Sequence, residues 1–302
     1  MSNALLSRRS VVAAGVGLLL AGRARPAGPA GGGEMIDLHQ HTNYLGRSDD
    51  ELVTHQRALG VTKTVLLPAG SRYGLAAGAG GNQTVLALAR RYPDEFAFFA
   101  NEVPTLPGAR AEIEKYLKLG AIGIGEQKFN VECDSQHIRM VAEVAREFRV
   151  PVLLHFQHGE YNTRIERFHR ILEQFPAVNF IGHAQTWWGN IDRNHDQTVM
   201  YPKTRVTPGG ITDRYLSDYP NMYGDLSAGS GLNALLRDEE HAREFLARHA
   251  GKLLYGSDCN DRQAHSEKCI GSKGIAAIRR LAPGAEVAAQ ILSGNARRLL
   301  RL

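Results

Sequence analysis

Along residues 35–302, short apolar runs alternate with longer stretches whose apolar positions return every three to four residues. The short runs are rich in β-branched and aromatic residues: MIDLH (35–39), KTVLLP (63–68), FAFFAN (96–101), AIGIGE (121–126), PVLLH (151–155), VNFIGH (178–183), NMYGDLS (221–227) and KLLYGSD (252–258). Their length and bias predict strands. Between them, NQTVLALARRYPDEF sets Val85, Leu88 and Ala89 on one helical face and meets a stop at Pro93. DSQHIRMVAEVAREFRV opens on Asp134 as an N-cap candidate and repeats Ile138, Val141, Val144, Ala145 and Phe148. TRIERFHRILEQFP does the same with Ile165, Phe168, Ile171, Leu172 and Phe175. Eight buried strands separated by helices predict an α/β chain folded as a (β/α)8 TIM barrel. The rival, a doubly wound open sheet, lacks a G-x-G-x-x-G turn after its first strand. The connection 184–220 exceeds what a helix and two turns need. Such loops in compact domains form lids or substrate walls. GLAAGAGG (74–81) reads as a flexible loop after the second strand.

The N-terminus departs from this pattern. SRRSVVAAGVGLLLA (7–21) places paired arginines before about a dozen apolar residues, and GRARPAGPAGGG follows. This is the layout of an export signal, and the Ser-Arg-Arg start resembles a twin-arginine signal. The apolar run is short for a membrane span. Residues 1–30 are therefore expected to be signal and linker, 31–302 the barrel, and the mature protein periplasmic or secreted, with no stable membrane insertion.

This segment also changes the meaning of the charge. The chain carries 36 basic and 31 acidic side chains, net +5. Arg8, Arg9, Arg23 and Arg25 lie in the first 33 residues, which hold no acid, so removing them leaves 32 against 31. A near-neutral mature chain gives no reason to expect nucleic acid as a partner. The 3 cysteines, Cys133, Cys259 and Cys269, have no C-x-x-C spacing and read as free thiols.

Barrel active sites form at the C-terminal ends of the strands. At that rim the predicted strands end in His39 with His41, Glu126, His155, His183 and Asp258. Alternate strand residues share a face, so His39 and His41 both point to the axis while Gln40 points away. A strand-terminal histidine alone is ordinarily a core residue; six such groups in register form a nitrogen and oxygen set suited to Zn²⁺ or a similar divalent ion, Mn included. A bound ion would acidify a coordinated water, and Asp258 would take its proton and later protonate the leaving group.

DLHQHT, GIGEQKF, LLHFQH, FIGHAQ and YGSDC, with the C-terminal ILSGNARRLLRL, resemble the amidohydrolase superfamily. More narrowly they resemble its amidohydrolase-related branch (amidohydrolase 2), which includes decarboxylases and lactonases. The resemblance implies that His39 and His41 hold the more buried metal, with Asp258 as shared ligand and catalytic base. It implies that His155 and His183 bind a second ion or, in single-metal members, polarise the substrate carbonyl. Glu126 falls where other members place a bridging carboxylate or a carbamylated lysine. Lys128, two residues on, is the competing bridge or a substrate contact. One or two ions remain open, and the branch implies a homodimer.

Secondary candidates for substrate contact are Lys128, His158, Trp187 and Arg193, with Trp188 and His195 on the same long connection. Asp225 reads as orienting a neighbour and Ser227 as reaching the site. His55, His137, His169, His241, His249 and His265 read as structural or surface histidines. The expected activity is hydrolysis of a C–O or C–N bond (amide, lactone or ester) in a small molecule through a metal-bound hydroxide. The alternatives are a decarboxylase of the same branch with Lys128 or Arg193 as carboxylate clamp, a TatD-type nuclease, and a degenerate non-catalytic barrel.

Overall fold

The computed structural model describes residues 33–70 and 78–302, apart from Met1. The export segment and the first half of the 74–81 loop lie outside the described residues. Eight parallel strands form the barrel wall: β1 Ile36–Gln40, β2 Lys63–Leu66, β3 Phe96–Phe98, β4 Ile124–Gln127, β5 Val152–His155, β6 Phe180–His183, β7 Met222–Asp225 and β8 Leu253–Leu254. Six fall inside a run read from the sequence, and β1 and β4 overrun theirs by one residue, at Gln40 and Gln127. They pair in chain order, β1 to β3 and β4 to β8. Two seams complete the ring. Ala100 bridges to Ile124, and Gly125 N–H donates to the Ala100 carbonyl at 2.9 Å. At the other seam Leu38 N–H donates to Tyr255 O at 3.0 Å, and Asp258 N–H to His39 O at 2.8 Å.

The helices are α1 Asp49–Ala58, α2 Asn82–Arg91, α3 Ala109–Lys118, α4 Gln136–Phe148, α5 His169–Gln174, α6 Gln185–Gly189, α7 Ile211–Asp218, α8 Ala228–Leu236, α9 Glu239–Arg248, α10 Ile270–Leu281, α11 Ala285–Ala289 and α12 Asn295–Leu300. Local chemistry sets their ends. Ser48 and Glu51 form a capping box at the start of α1. α4 is capped by Ser135, whose hydroxyl accepts from Ile138 N–H, rather than by Asp134. Asp134 instead pairs with Arg170 at 2.8 Å, one residue too early to reach the helix amides. TRIERFHRILEQFP does not make one helix. It forms a 3₁₀ turn, Ile165–Arg167, and then α5, while its five apolar residues are all buried as their spacing requires.

Two apolar layers result. Ile36, Leu38, Val65, Leu67, Phe99, Leu153, Ile181 and Leu254 fill the barrel interior. A larger layer, including Val85, Ile113, Val141, Phe168 and Ile278, lies between strands and helices. Register fixes which rim residues face one another. In β5 and β6, His155 pairs directly with His183. The ladder is irregular at two places, between Asp37 and Gln40 in β1 and between Ile124 and Gln127 in β4. Such irregularities re-aim side chains. Here they lie at His39 and at Glu126.

Part of the long 184–220 connection is ordered inward. α6 carries Trp187 and Trp188 into the core, where Trp187 packs on Phe156 with ring centroids 5.8 Å apart. The indole also lies against Gly182; a Cβ there would come within 2.4 Å of the ring, so only glycine admits the approach.

Candidate metal centre

His39 and His41 turn their Nε2 atoms toward each other at 3.2 Å. Their other nitrogens settle the tautomers. His39 Nδ1 lies 2.7 Å from Asp225 Oδ2, and His41 Nδ1 lies 2.7 Å from the Leu67 carbonyl. A carboxylate and a carbonyl only accept, so both Nδ1 atoms donate and a neutral pair leaves both Nε2 lone pairs bare. Glu126 Oε2 lies 3.6 Å from each of these nitrogens. Asp258 Oδ1 lies 3.9 Å from His39 Nε2 and 3.4 Å from His41 Nε2. That oxygen is shut off from solvent and has no hydrogen-bond partner. Four lone-pair atoms thus converge with no donor among them. Ligands about 2.1 Å from a tetrahedral ion stand about 3.4 Å apart, close to the spacing found. The residues fit a divalent ion.

His183 approaches the same carboxylates from β6. Its Nε2 is 3.7 Å from Glu126 Oε1 and 3.8 Å from Asp258 Oδ2. Ser227 fixes its tautomer: the hydroxyl donates to Asp225 Oδ2 at 2.8 Å and accepts from His183 Nδ1 at 2.9 Å. One buried carboxylate, Asp225, therefore orients His39 directly and His183 through a serine. Trp188 Nε1 donates to the Asp225 carbonyl at 2.8 Å and steadies that strand end. His155 is placed differently. Its Nδ1 lies 2.5 Å from Glu126 Oε1 and its Nε2 3.1 Å from Gln157 Oε1. With Glu126 and His183 it forms a second buried group whose ligand atoms all lie within 4.8 Å of one another.

The electrostatics agree with a centre built for a cation. Burial would favour neutral His39, yet Asp258, Asp225 and Glu126 together hold its pKa well above the ordinary value. Burial raises Glu126, but His155 and His39 outweigh it and hold the carboxyl well below the usual range. Asp258 is likewise depressed, with His39 and His41 overcoming burial. His183 is pushed down to about 3 by burial and by the charge on His39.

The amidohydrolase family model matches residues 36–302, nearly all of the barrel. The chain belongs to the amidohydrolase family. Members of this family generally use a divalent metal ion, and the cluster at the strand ends offers the groups to hold one. Solved structures agree on the fold. An uncharacterized TIM-barrel protein from Bordetella bronchiseptica superposes with TM-score 0.62 at 17% identity, covering 89% of this chain and 98% of that one. A probable 2-pyrone-4,6-dicarboxylic acid hydrolase from Acinetobacter baumannii, with citric acid bound, gives 0.60 at 15%, covering 89% and 99%. The 5-carboxyvanillate decarboxylase from Sphingomonas paucimobilis gives 0.55 at 16%, covering 86% and 85%. Among curated proteins none matches.

In this member of the amidohydrolase family the remaining candidates scatter. Lys128 lies just past the end of β4, half-buried, with its ammonium 5.6 Å from the Tyr161 ring centre. Tyr161 in turn meets His155 edge-on at 5.5 Å. His158 is exposed. Arg193 is exposed, and its guanidinium lies against Gly209. Trp187 is fully buried in the outer core layer, because its indole fills the space over Gly182, so it is not a substrate wall. Of the histidines read as structural, His55, His241 and His249 are buried, His249 against Asp213 at 2.6 Å.

Sequence reasoning passed over three contributors. The Tyr44 ring meets His41 edge-on at 5.0 Å, and its phenol is pushed up by the Asp258 charge and by burial. Arg47, buried, donates to the Cys259 carbonyl at 2.7 Å and to Gln40 Oε1, tying the Asp258 segment to β1. Asn101 donates to the Glu126 carbonyl at 2.7 Å and holds the end of β4. Only Asn101 left a trace, as a polar residue closing the third apolar run at the same rim.

Proposed function

We propose that the protein is a metal-dependent hydrolase that cleaves a C–O or C–N bond of a small molecule, with a lactone, ester or amide as substrate. The ion proposed is zinc, held by His39, His41, His183, Glu126 and Asp258. When bound it supplies Lewis acidity to a carbonyl and lowers the pKa of water toward neutrality. The observation that carries the reading is Asp258. It is held ionised, with one oxygen facing His39 and His41 and the other facing His183. An ionised carboxylate in that position accepts the proton of the attacking water and returns it to the leaving group. His183 stays neutral, and its Nε2 lone pair suits a ligand better than a donor to a carbonyl. Lys128 and His155, flanking Tyr161, give the mouth a cation and a hydrogen-bonding ring for a substrate carboxylate.

The support from relatives is divided, since the solved neighbours include a probable pyrone dicarboxylic acid hydrolase and a carboxyvanillate decarboxylase. Decarboxylation of a carboxylated ring is the second reading, and the same Lys128 would serve it. A metal-loaded full chain offered pyrone, aryl-ester and hydroxybenzoate carboxylates separates the two. Ring opening or ester cleavage with proton release and no CO₂ is expected. Stoichiometric CO₂ without cleavage would move the chain to the decarboxylases. No turnover of either kind by fully loaded protein would count against both.

A further inference from the structure

Away from the histidine centre, three soft donors meet in the core. His55 comes from α1, Cys259 from the residue after Asp258, and Cys269 from the N-cap of α10. All three are buried, and both cysteines are free thiols. The sulfurs stand 3.9 Å apart, and Cys269 Sγ lies 3.4 Å from His55 Nε2. All three ligand atoms lie within 4.8 Å of one another.

The imidazole is oriented as a ligand. Gln56 donates its amide to Asp37 Oδ2 at 2.8 Å and to Thr64 Oγ1 at 2.9 Å, which fixes the direction of the side chain. Its Oε1 is left facing His55 Nδ1 at 3.0 Å. Nδ1 therefore carries the hydrogen, and Nε2 turns a lone pair to the sulfurs. A backing hydrogen bond of this kind is what metal-binding histidines ordinarily have.

The spacing excludes one alternative. A disulfide needs sulfurs about 2.05 Å apart. An ion with Zn–S of about 2.3 Å and Zn–N of about 2.0 Å places tetrahedral sulfurs about 3.8 Å apart and sulfur and nitrogen about 3.5 Å apart. The two separations exclude the disulfide; they match the ion, and they match equally a thiol–thiol and a thiol–imidazole hydrogen bond, which cobalt titration tells apart.

We propose that His55, Cys259 and Cys269 form a second, thiolate-rich zinc site, structural in role and separate from the histidine centre. Binding releases the two thiol protons to solvent and makes one Zn–N and two Zn–S bonds, with no change of oxidation state. Among the described residues no fourth histidine, cysteine or carboxylate joins the cluster, so one coordination position is left for water or a small anion. The ion would pin α1 and α10 to the segment carrying Asp258. The Cys259 carbonyl is held in addition by Arg47 Nη1 and by Gln40 Nε2 at 3.1 Å.

Cobalt(II) titration of the full, reduced chain tests this, because cobalt bound by thiolate shows a near-ultraviolet charge-transfer band that histidine and carboxylate ligands do not give. The band is expected in the wild type and in a His39→Ala/His41→Ala variant, to be displaced by zinc, and to be lost in Cys259→Ser and in Cys269→Ser. Cys133→Ser, remote from the cluster, should keep it. A folded wild-type chain that shows no band overturns the proposal whether or not the cysteine variants fold. So does a band that survives both cysteine substitutions, or a chain isolated without reductant that is lighter by two hydrogens and maps with Cys259 cross-linked to Cys269.

Discussion

Replacing Asp225 with asparagine preserves volume and removes one charge, yet the site cannot absorb it. Asp225 is fully buried. Its Oδ2 accepts from His39 Nδ1 at 2.7 Å and from Ser227 Oγ at 2.8 Å, while its Oδ1 accepts from Ser227 N–H at 3.0 Å. An amide has one oxygen. If the NH₂ takes the Oδ2 place it meets the His39 N–H; if it takes the Oδ1 place it meets a backbone N–H. In the first orientation His39 must change tautomer, which puts the hydrogen on Nε2 and blocks a ligand. In the second a backbone donor is stranded in the core, at a cost of about 1–3 kcal/mol in stability. Loss of such an orienting partner typically weakens metal binding about 10–100-fold, or about 1.4–2.7 kcal/mol. The assay is zinc competition against a chelator of known affinity near neutral pH. Thermal melts of the metal-free chain report any folding defect separately. Zinc binding in Asp225→Asn as tight as in the wild type would refute the tautomer argument.

Other expectations follow from the same geometry. In His39→Ala/His41→Ala the histidine centre loses its metal and hydrolysis falls to background, read by elemental analysis beside the substrate panel. For the metal-free chain, the raised pKa of His39 contributes stability that is full below about pH 6.5 and is lost as pH rises through the folded value. The depressed Glu126 and Asp258 contribute stability that is full above about pH 4.5 and is lost on acidification through their folded values. His183, held down to about 3, costs stability as pH falls below about 6.5, so melting temperature against pH should be highest near about pH 6.5, and a plateau to alkaline pH would contradict the His39 shift. Trp187→Ala should cost about 3–5 kcal/mol in denaturant unfolding and leave KM unchanged in whatever protein folds, because the indole is core; a raised KM would return it to the pocket. Replacing Arg8 and Arg9 with lysine should hold the chain in the cytoplasm, read by fractionation, if residues 7–21 act as a twin-arginine signal.

Much of this was legible because the barrel repeats one rule. Each strand is an apolar run, and its last residue meets the rim, so His155, His183 and Glu126 could be placed by counting. What escaped was whatever depends on a second segment. Arg47 has no periodic partner, and its role appears only when the Cys259 carbonyl is folded over it. Cys259 and Cys269 looked inert for the same reason: their third partner, His55, lies on a helix some two hundred residues earlier. Trp187 and Trp188 misled because a long connection suggests exposed aromatics, while Gly182 had cleared room for them inside. Asp134 lost the cap to Ser135 by one position, a shift that pattern alone does not resolve.

The seam that closes the barrel also bears on how the protein is made. His39 comes from the first strand and His41 from the residue after its end, Asp258 from just beyond the last, and the Asp258 N–H donates to the His39 carbonyl across the junction. Ring closure and assembly of the ligand set are thus one event. A nascent or truncated chain owns both histidines at the end of the first strand, but until the final strand arrives nothing gathers them with Asp258 around an ion. An ion at this centre would therefore load late in biosynthesis and would mark a completed barrel. Any ion held there would certify that the last strand had been made and had found the first.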